Sequence, residues 1–121
     1  MSINDSTPVL VGCGQVTQKV EDPMEAKNPI ELMKESSLLA FEDTAIDKLE
    51  SKIDTVTTVR FIFDSEGGKR PPFSIYSNPP QSLANSLGIS DAKTYNGPTG
   101  GNTPQYLINI LAEKIVNGET E

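Results

Sequence analysis

At 121 residues and 36% hydrophobic, the chain has the size of one compact domain with a single core. A formal charge of -7 argues against nucleic acid or an anionic membrane surface as partner, because neither attracts an acidic protein without a concentrated basic patch, and the densest basic cluster is Lys69-Arg70. The lone Cys13 excludes an internal disulfide framework, and the absence of histidine argues against a zinc or histidine-based metal site and removes the commonest general base.

Along the chain, short apolar runs alternate with amphipathic stretches. Pro8-Val9-Leu10-Val11-Gly12 reads as a buried strand closed by the turn Gly12-Cys13-Gly14, and residues 15–28 read as a polar loop. A helix should start at once after it: Asn28 suits the N-cap, Pro29 the first helical position, and Glu31 the reciprocal place in a capping box. That helix is expected to run to about Thr44. Ile30, Met33, Ser37, Ala40 and Thr44 recur on one side of it, and so many small residues on one stripe suggest close approach to a neighbour. Residues 53–63, rich in Val, Thr, Ile and Phe, read as a second strand. Residues 64–80, with Gly67-Gly68 and Pro71-Pro72, are expected to be a loop excursion, either ordered or mobile. A short helix over 81–87 stopped by Gly88, a third strand at 92–95, and a last helix from Pro104 to Asn117 stopped by Gly118 complete the order. The result is βαβαβα, an α/β arrangement with a largely parallel sheet and no internal repeat.

The last helix carries the sharpest signal. Only Glu113 and Lys114 are charged between Pro104 and Asn117, while Leu107, Ile108, Ile110, Leu111, Ala112, Ile115 and Val116 cover most of its circumference. A helix apolar nearly all round is expected to be buried on several sides. Its N-terminus then points into the protein, where N–H groups without intrahelical partners and the helix dipole favour an anion or a developing oxyanion. Thr103 is the expected cap, and Gly100-Gly101 lets a ligand or another chain approach the backbone. The same residues also spell a generic strand-to-helix turn, and spacing alone favours that plainer reading. Gly12-Cys13-Gly14 superficially opens a dinucleotide fingerprint, but Thr17 and the polar loop after it break the pattern.

Taken together, Pro8 to Gln15, the helix from Pro29, the strand from Ile53, and Gly100-Gly101-Asn102-Thr103-Pro104-Gln105 through Gly118 resemble the start of the thiolase superfamily, closest to its acetyl-CoA acetyltransferase-type branch. The resemblance covers most of Pro8 to Gly118 apart from the loop at 64–80, and rests on order and spacing, not on one motif. It implies that residues 1–121 are a partial thiolase-like N-terminal domain: the opening βαβαβα part of one of two halves that stack as α-β-α-β-α layers, with the last helix in the middle layer. It also implies an acyltransferase family in lipid metabolism that handles acyl-CoA or acetyl-CoA thioesters and holds no covalent cofactor.

In that family a nucleophilic cysteine stands at the N-terminus of the middle helix. Counting back from Gly118, the slot falls at Gly101, followed by Asn102 and Thr103, so the nucleophile is absent and this chain alone is expected to be inactive. Asn102 and Thr103 remain as helix-terminus candidates for stabilising an oxyanion. Cys13 falls on the exit turn of the first strand and is expected to be an inert, buried or half-buried small residue. Thr103 has a hydroxyl near the slot but no evident base, so capping is its expected task. The family's fourth strand would follow Gly118, which makes the chain either a fragment or a truncated paralogue. Either way an exposed sheet edge and an apolar patch should promote association, with a homo-oligomer formed through strand 92–96 or a partner chain as the expected result. Alternatives left open are a non-catalytic subunit or scaffold completing a partner acyl-CoA enzyme, and an unrelated α/β module binding a phosphorylated ligand at the Gly-Gly turn. The chain has no run near the roughly 20 apolar residues of a membrane span and no signal-peptide pattern at its start, so a cytoplasmic location is expected.

Overall fold

The structure, a computed structural model, describes residues 4–62 and 76–121. Its regular elements are α1 (Pro29–Thr44), β1 (Thr55–Val59), α2 (Pro79–Ser86), β2 (Lys93–Gly97) and α3 (Thr103–Val116), with short 3-10 turns at Pro23–Glu25 and Leu49–Lys52. The expected mixed α/β arrangement with a parallel sheet is present: β1 and β2 pair in parallel, in a register from Thr55 opposite Lys93 to Val59 opposite Gly97. Most of the predicted excursion, residues 64–75, lies outside the described residues.

Helix ends follow local chemistry closely. At α1 the Asn28 side chain accepts from the Glu31 N–H at 3.0 Å while the Glu31 carboxylate accepts from the Asn28 N–H at 2.7 Å, the full capping box. At the far end of α3, Gly118 adopts φ +70°, its N–H donates to the Ile115 carbonyl, and the Glu119 N–H donates to Lys114. This is a Schellman ending. Gly88 ends α2 in the same way at φ +76°, with the Ile89 N–H on Ala84. β2 and α3 are displaced by one or two residues from the expected 92–95 and 104–117, and two further boundaries differ for a clear physical reason. α2 begins at Pro79, because Asn78 caps it by accepting from Gln81 and a proline costs nothing in a first helical turn; Pro79 and Pro80 are both fully buried. β1 is five residues long, shorter than the expected 53–63, since among the described residues only Thr55–Val59 has a partner strand alongside; Phe63 lies outside the described residues.

The core lies on one face of the sheet. Val56 of β1 packs with Ile30 of α1, Leu83 and Ala84 of α2, and Ile89, and Met33, Ile53 and Leu87 close around them. α3 packs on the opposite face, where Leu107 and Thr103 are buried against Gly97. A side chain at Gly97 would stand within 2.9 Å of Leu107 Cδ2, so the sheet accepts the helix there only because that position is bare.

Two expectations about burial are corrected. Residues 8–12 are extended but have no ladder partner among the described residues, and Val9 and Leu10 are 67% and 85% exposed. A strand is buried by its neighbours, and here the segment lies across α1: a Cβ on Gly12 would sit 2.4 Å from the Ala40 carbonyl and one on Gly14 2.0 Å from that of Ser36. The small stripe of α1 therefore receives bare backbone, not a sheet. α3, in turn, is not enclosed. It buries only Thr103 and Leu107, while Ile108 and Val116 are more than half exposed, because the described residues put the sheet on one side of it and nothing on the other.

Candidate functional site

β2 runs through Gly97 into the turn Pro98 to Asn102 and so to α3, which makes the strand–turn–helix junction the candidate site. Asn102, not Thr103, occupies the N-cap position, with φ -90°, ψ -8° and no side-chain capping bond. Thr103 is the first helical residue. The one-residue difference has a physical cause: the Thr103 N–H folds back onto the Gly100 carbonyl at 3.2 Å and the Asn102 carbonyl accepts the first helical bond, from Tyr106 at 3.1 Å. Thr103 is 3% exposed and its Cγ2 faces the Gly97 position, so its side chain anchors the helix to the sheet and does not present a nucleophile.

The count of N–H donors at this end is smaller than the bare motif suggests. Pro104 has none, and that of Thr103 is spent on Gly100. Among the described residues, no carbonyl or side-chain oxygen accepts from the N–H groups of Gly101, Asn102 or Gln105, and all three residues are exposed. These donors, with the positive end of the α3 dipole, are what the junction can offer an anionic or polarised oxygen. Gly101 has no atom within 4 Å of the place a Cβ would take and does not need a positive φ. A side chain there is sterically free.

The principal clefts of the described residues lie elsewhere. A cleft of about 690 Å³ runs between residues 7–12, the end of α1, the start of β1 and Leu111 and Ile115 of α3, and Gly100 to Pro104 line neither it nor the four hollows that follow it in size. Gly101, Asn102, Pro104 and Gln105 at the α3 tip are exposed among the described residues. Cys13, expected to be buried or half-buried, is exposed; its N–H donates to Asp43 Oδ2 at 2.9 Å, which ties residues 12–14 to α1. The turn is held by backbone, and the thiol stays outside.

One feature had no signature in the sequence. Asp54, just before β1, accepts from Thr55 Oγ1, Thr120 Oγ1 and the Glu121 N–H, joining stretches of chain 66 residues apart. Burial raises the Asp54 pKa, but hydrogen bonds from Thr120, Thr55 and Glu121, with the Lys93 charge, outweigh it and hold the carboxyl below its ordinary value. No group of three or more His, Cys, Asp or Glu able to hold a metal ion occurs among the described residues, and no helix there is long and apolar enough to cross a membrane.

No family model matches the chain, and no curated protein does. Among solved structures, the chain is similar to a monomeric SCP2-thiolase-like protein type 1 from Mycobacterium smegmatis, at 30% identity and a TM-score of 0.80, over 99% of this chain. The chain spans 23% of the length of that protein. The fold is therefore thiolase-like and α/β, as the resemblance implied.

Proposed function

We propose that the chain is part of a thiolase-like acyl-CoA-handling protein of the acetyl-CoA acetyltransferase kind that lacks the usual nucleophile, and that the β2–α3 junction is where a thioester carbonyl is received. The observation that carries this reading is the likeness over 99% of the chain to an SCP2-thiolase-like protein, with the strand–turn–helix at the Gly101 position intact. Chemically, the N–H groups of Gly101, Asn102 and Gln105 polarise a carbonyl oxygen, while glycine stands in the proposed nucleophile slot and the sequence has no histidine to serve as base for an acyl-enzyme. Binding and polarisation without covalent storage is the corresponding activity, and a ping-pong condensation is not. Acyl-CoA or acetyl-CoA is the ligand, no cofactor is bound covalently, and the site of action is cytoplasmic.

A second reading, a non-catalytic subunit that completes a partner acyl-CoA enzyme, is favoured by the exposed Ile108 and Val116 side of α3 and by the outer edge of β2, which has no strand beside it among the described residues. The same edge would serve a dimer through residues 92–96; the similar M. smegmatis protein is described as monomeric. Titration of the 15N-labelled chain with acetyl-CoA separates the readings. Saturable shifts of the Gly100 to Gln105 amides support the first. Unmoved amides at millimolar ligand, with co-purification of a larger partner, support the second and count against the first.

A further inference from the structure

The most closely knit polar cluster lies at the opposite end of the sheet from the α3 tip. Thr55 Oγ1 donates to Asp54 Oδ1 at 2.9 Å, Thr120 Oγ1 donates to the same oxygen, and the two threonine hydroxyls are 2.6 Å apart. The other carboxylate oxygen accepts from the Glu121 N–H at 3.1 Å. Backbone bonds reinforce the knot: the Asp54 carbonyl accepts from the Lys93 N–H at 2.7 Å, and Lys93 Nζ donates to the Glu119 carbonyl at 3.1 Å. Thr120 is buried, although it belongs to no regular element. Asp54, Thr120 and Glu121 also form a wall common to two hollows, the apolar cleft of about 690 Å³ and a second of about 580 Å³ lined by Ser51, Lys52 and Gly118.

We propose that Asp54 is the anchor of a conformational clamp: its carboxylate holds Thr120 and the Glu121 amide against the start of β1, and in doing so keeps the two hollows apart. The chemistry needs the ionised form. Both oxygens act as acceptors, one of them twice, and hydrogen bonds to a carboxylate are about twice as strong as neutral ones. A protonated carboxyl turns one oxygen into a donor, and the three-donor arrangement no longer fits. The charged groups around it are Glu50 and Lys52 from the 3-10 turn, Asp91 and Lys93 at the start of β2, Glu119 and Glu121 of the held segment, and Lys114 of α3, which engages Glu119 at 2.9 Å. Glu119 is thus neutralised by its own lysine, and Lys93 favours the charged Asp54. The lowered Asp54 pKa agrees: the clamp is closed throughout the neutral range and opens only in acid.

NMR titration of the 15N-labelled 121-residue chain tests this. The Glu121 amide proton should carry an inflection at a pH below the ordinary aspartate value of about 3.9. In Asp54→Asn that inflection should vanish, the 15N NOE values of Thr120 and Glu121 should fall, and binding of the dye 1-anilinonaphthalene-8-sulfonate should rise as the hollows join. Thr120→Val, which keeps the side-chain volume and removes one of the three donors, should raise the inflection toward the ordinary value and decides the matter if Asp54→Asn fails to fold. A Glu121 amide without the low inflection, NOE and dye values unchanged in Asp54→Asn, or an inflection unmoved in Thr120→Val would overturn the clamp.

Discussion

On one face of the sheet Val56 meets Ile30, Leu83, Ala84 and Ile89, supplied by two helices and the turn after the second; on the other, α3 sets only Thr103 and Leu107 against the strands and leaves Ile108 and Val116 more than half exposed. α3 is nevertheless the more apolar in sequence of the two helices flanking the sheet, with seven aliphatic residues between Leu107 and Val116, whereas α2 reads Pro-Pro-Gln-Ser-Leu-Ala-Asn-Ser. Hydrophobic pattern states what a helix can bury, and topology decides what is there to bury it. α2 needs only Leu83 and Ala84 to finish its face because α1 and both strands converge on them. α3 has surplus apolar surface that the described residues do not cover.

Substitutions can break this comparison. The largest effect is expected for Leu83→Ala, which removes a side chain packed with Val56, Ile30 and Ile89 and should cost roughly 2–5 kcal/mol in denaturant unfolding, near the upper end. Leu107→Ala should cost less within the same range, since the open side of α3 lets the site collapse. Equal costs would mean that the two faces are finished alike. Asn28→Ala removes one half of the capping box and should cost about 1 kcal/mol, the loss expected of a cap. Ile108→Lys should change stability by no more than about 0.5 kcal/mol, as an exposed position does. If sedimentation finds the chain associated and this substitution makes it monomeric, the exposed side of α3 is a contact surface; a cost above 2 kcal/mol would show that Ile108 is buried after all. Acid sharpens the picture last. Because the folded-state pKa of Asp54 lies below its unfolded value, its contribution is present above the ordinary carboxylate range and is lost as pH falls through the folded value. Asp54→Asn should therefore flatten the acid limb of the stability profile.

Features set by chain neighbours were legible in the sequence. Asn28 with Glu31, and Gly88 and Gly118 as stops, depend on groups three or four residues away, and the structure has them as read. The one-residue displacement at α3 arose because Thr103 looks like a cap, yet its methyl packs on Gly97, a contact that depends on how strand and helix meet. Residues 8–12 have the composition of a strand but no ladder among the described residues, since pairing depends on what lies alongside. Cys13 followed its turn outward for the same reason. Asp54 and Thr120 are 66 residues apart, and nothing in either local pattern couples them. At the candidate site the strand–turn–helix was legible in the sequence, but not the loss of the Thr103 donor to the Gly100 carbonyl.

The account rests on the α3 tip being an amide-rich, electropositive end at the position where related folds hold a nucleophile. The most direct measurement is thiol titration in Gly101→Cys, made with Cys13→Ser so that one sulfur reports. No atom lies within 4 Å of the new Cβ, so the substitution should be tolerated. The helix end should favour the thiolate and bring the midpoint below the ordinary cysteine value of about 8.5. A midpoint at or above that value would contradict the assignment.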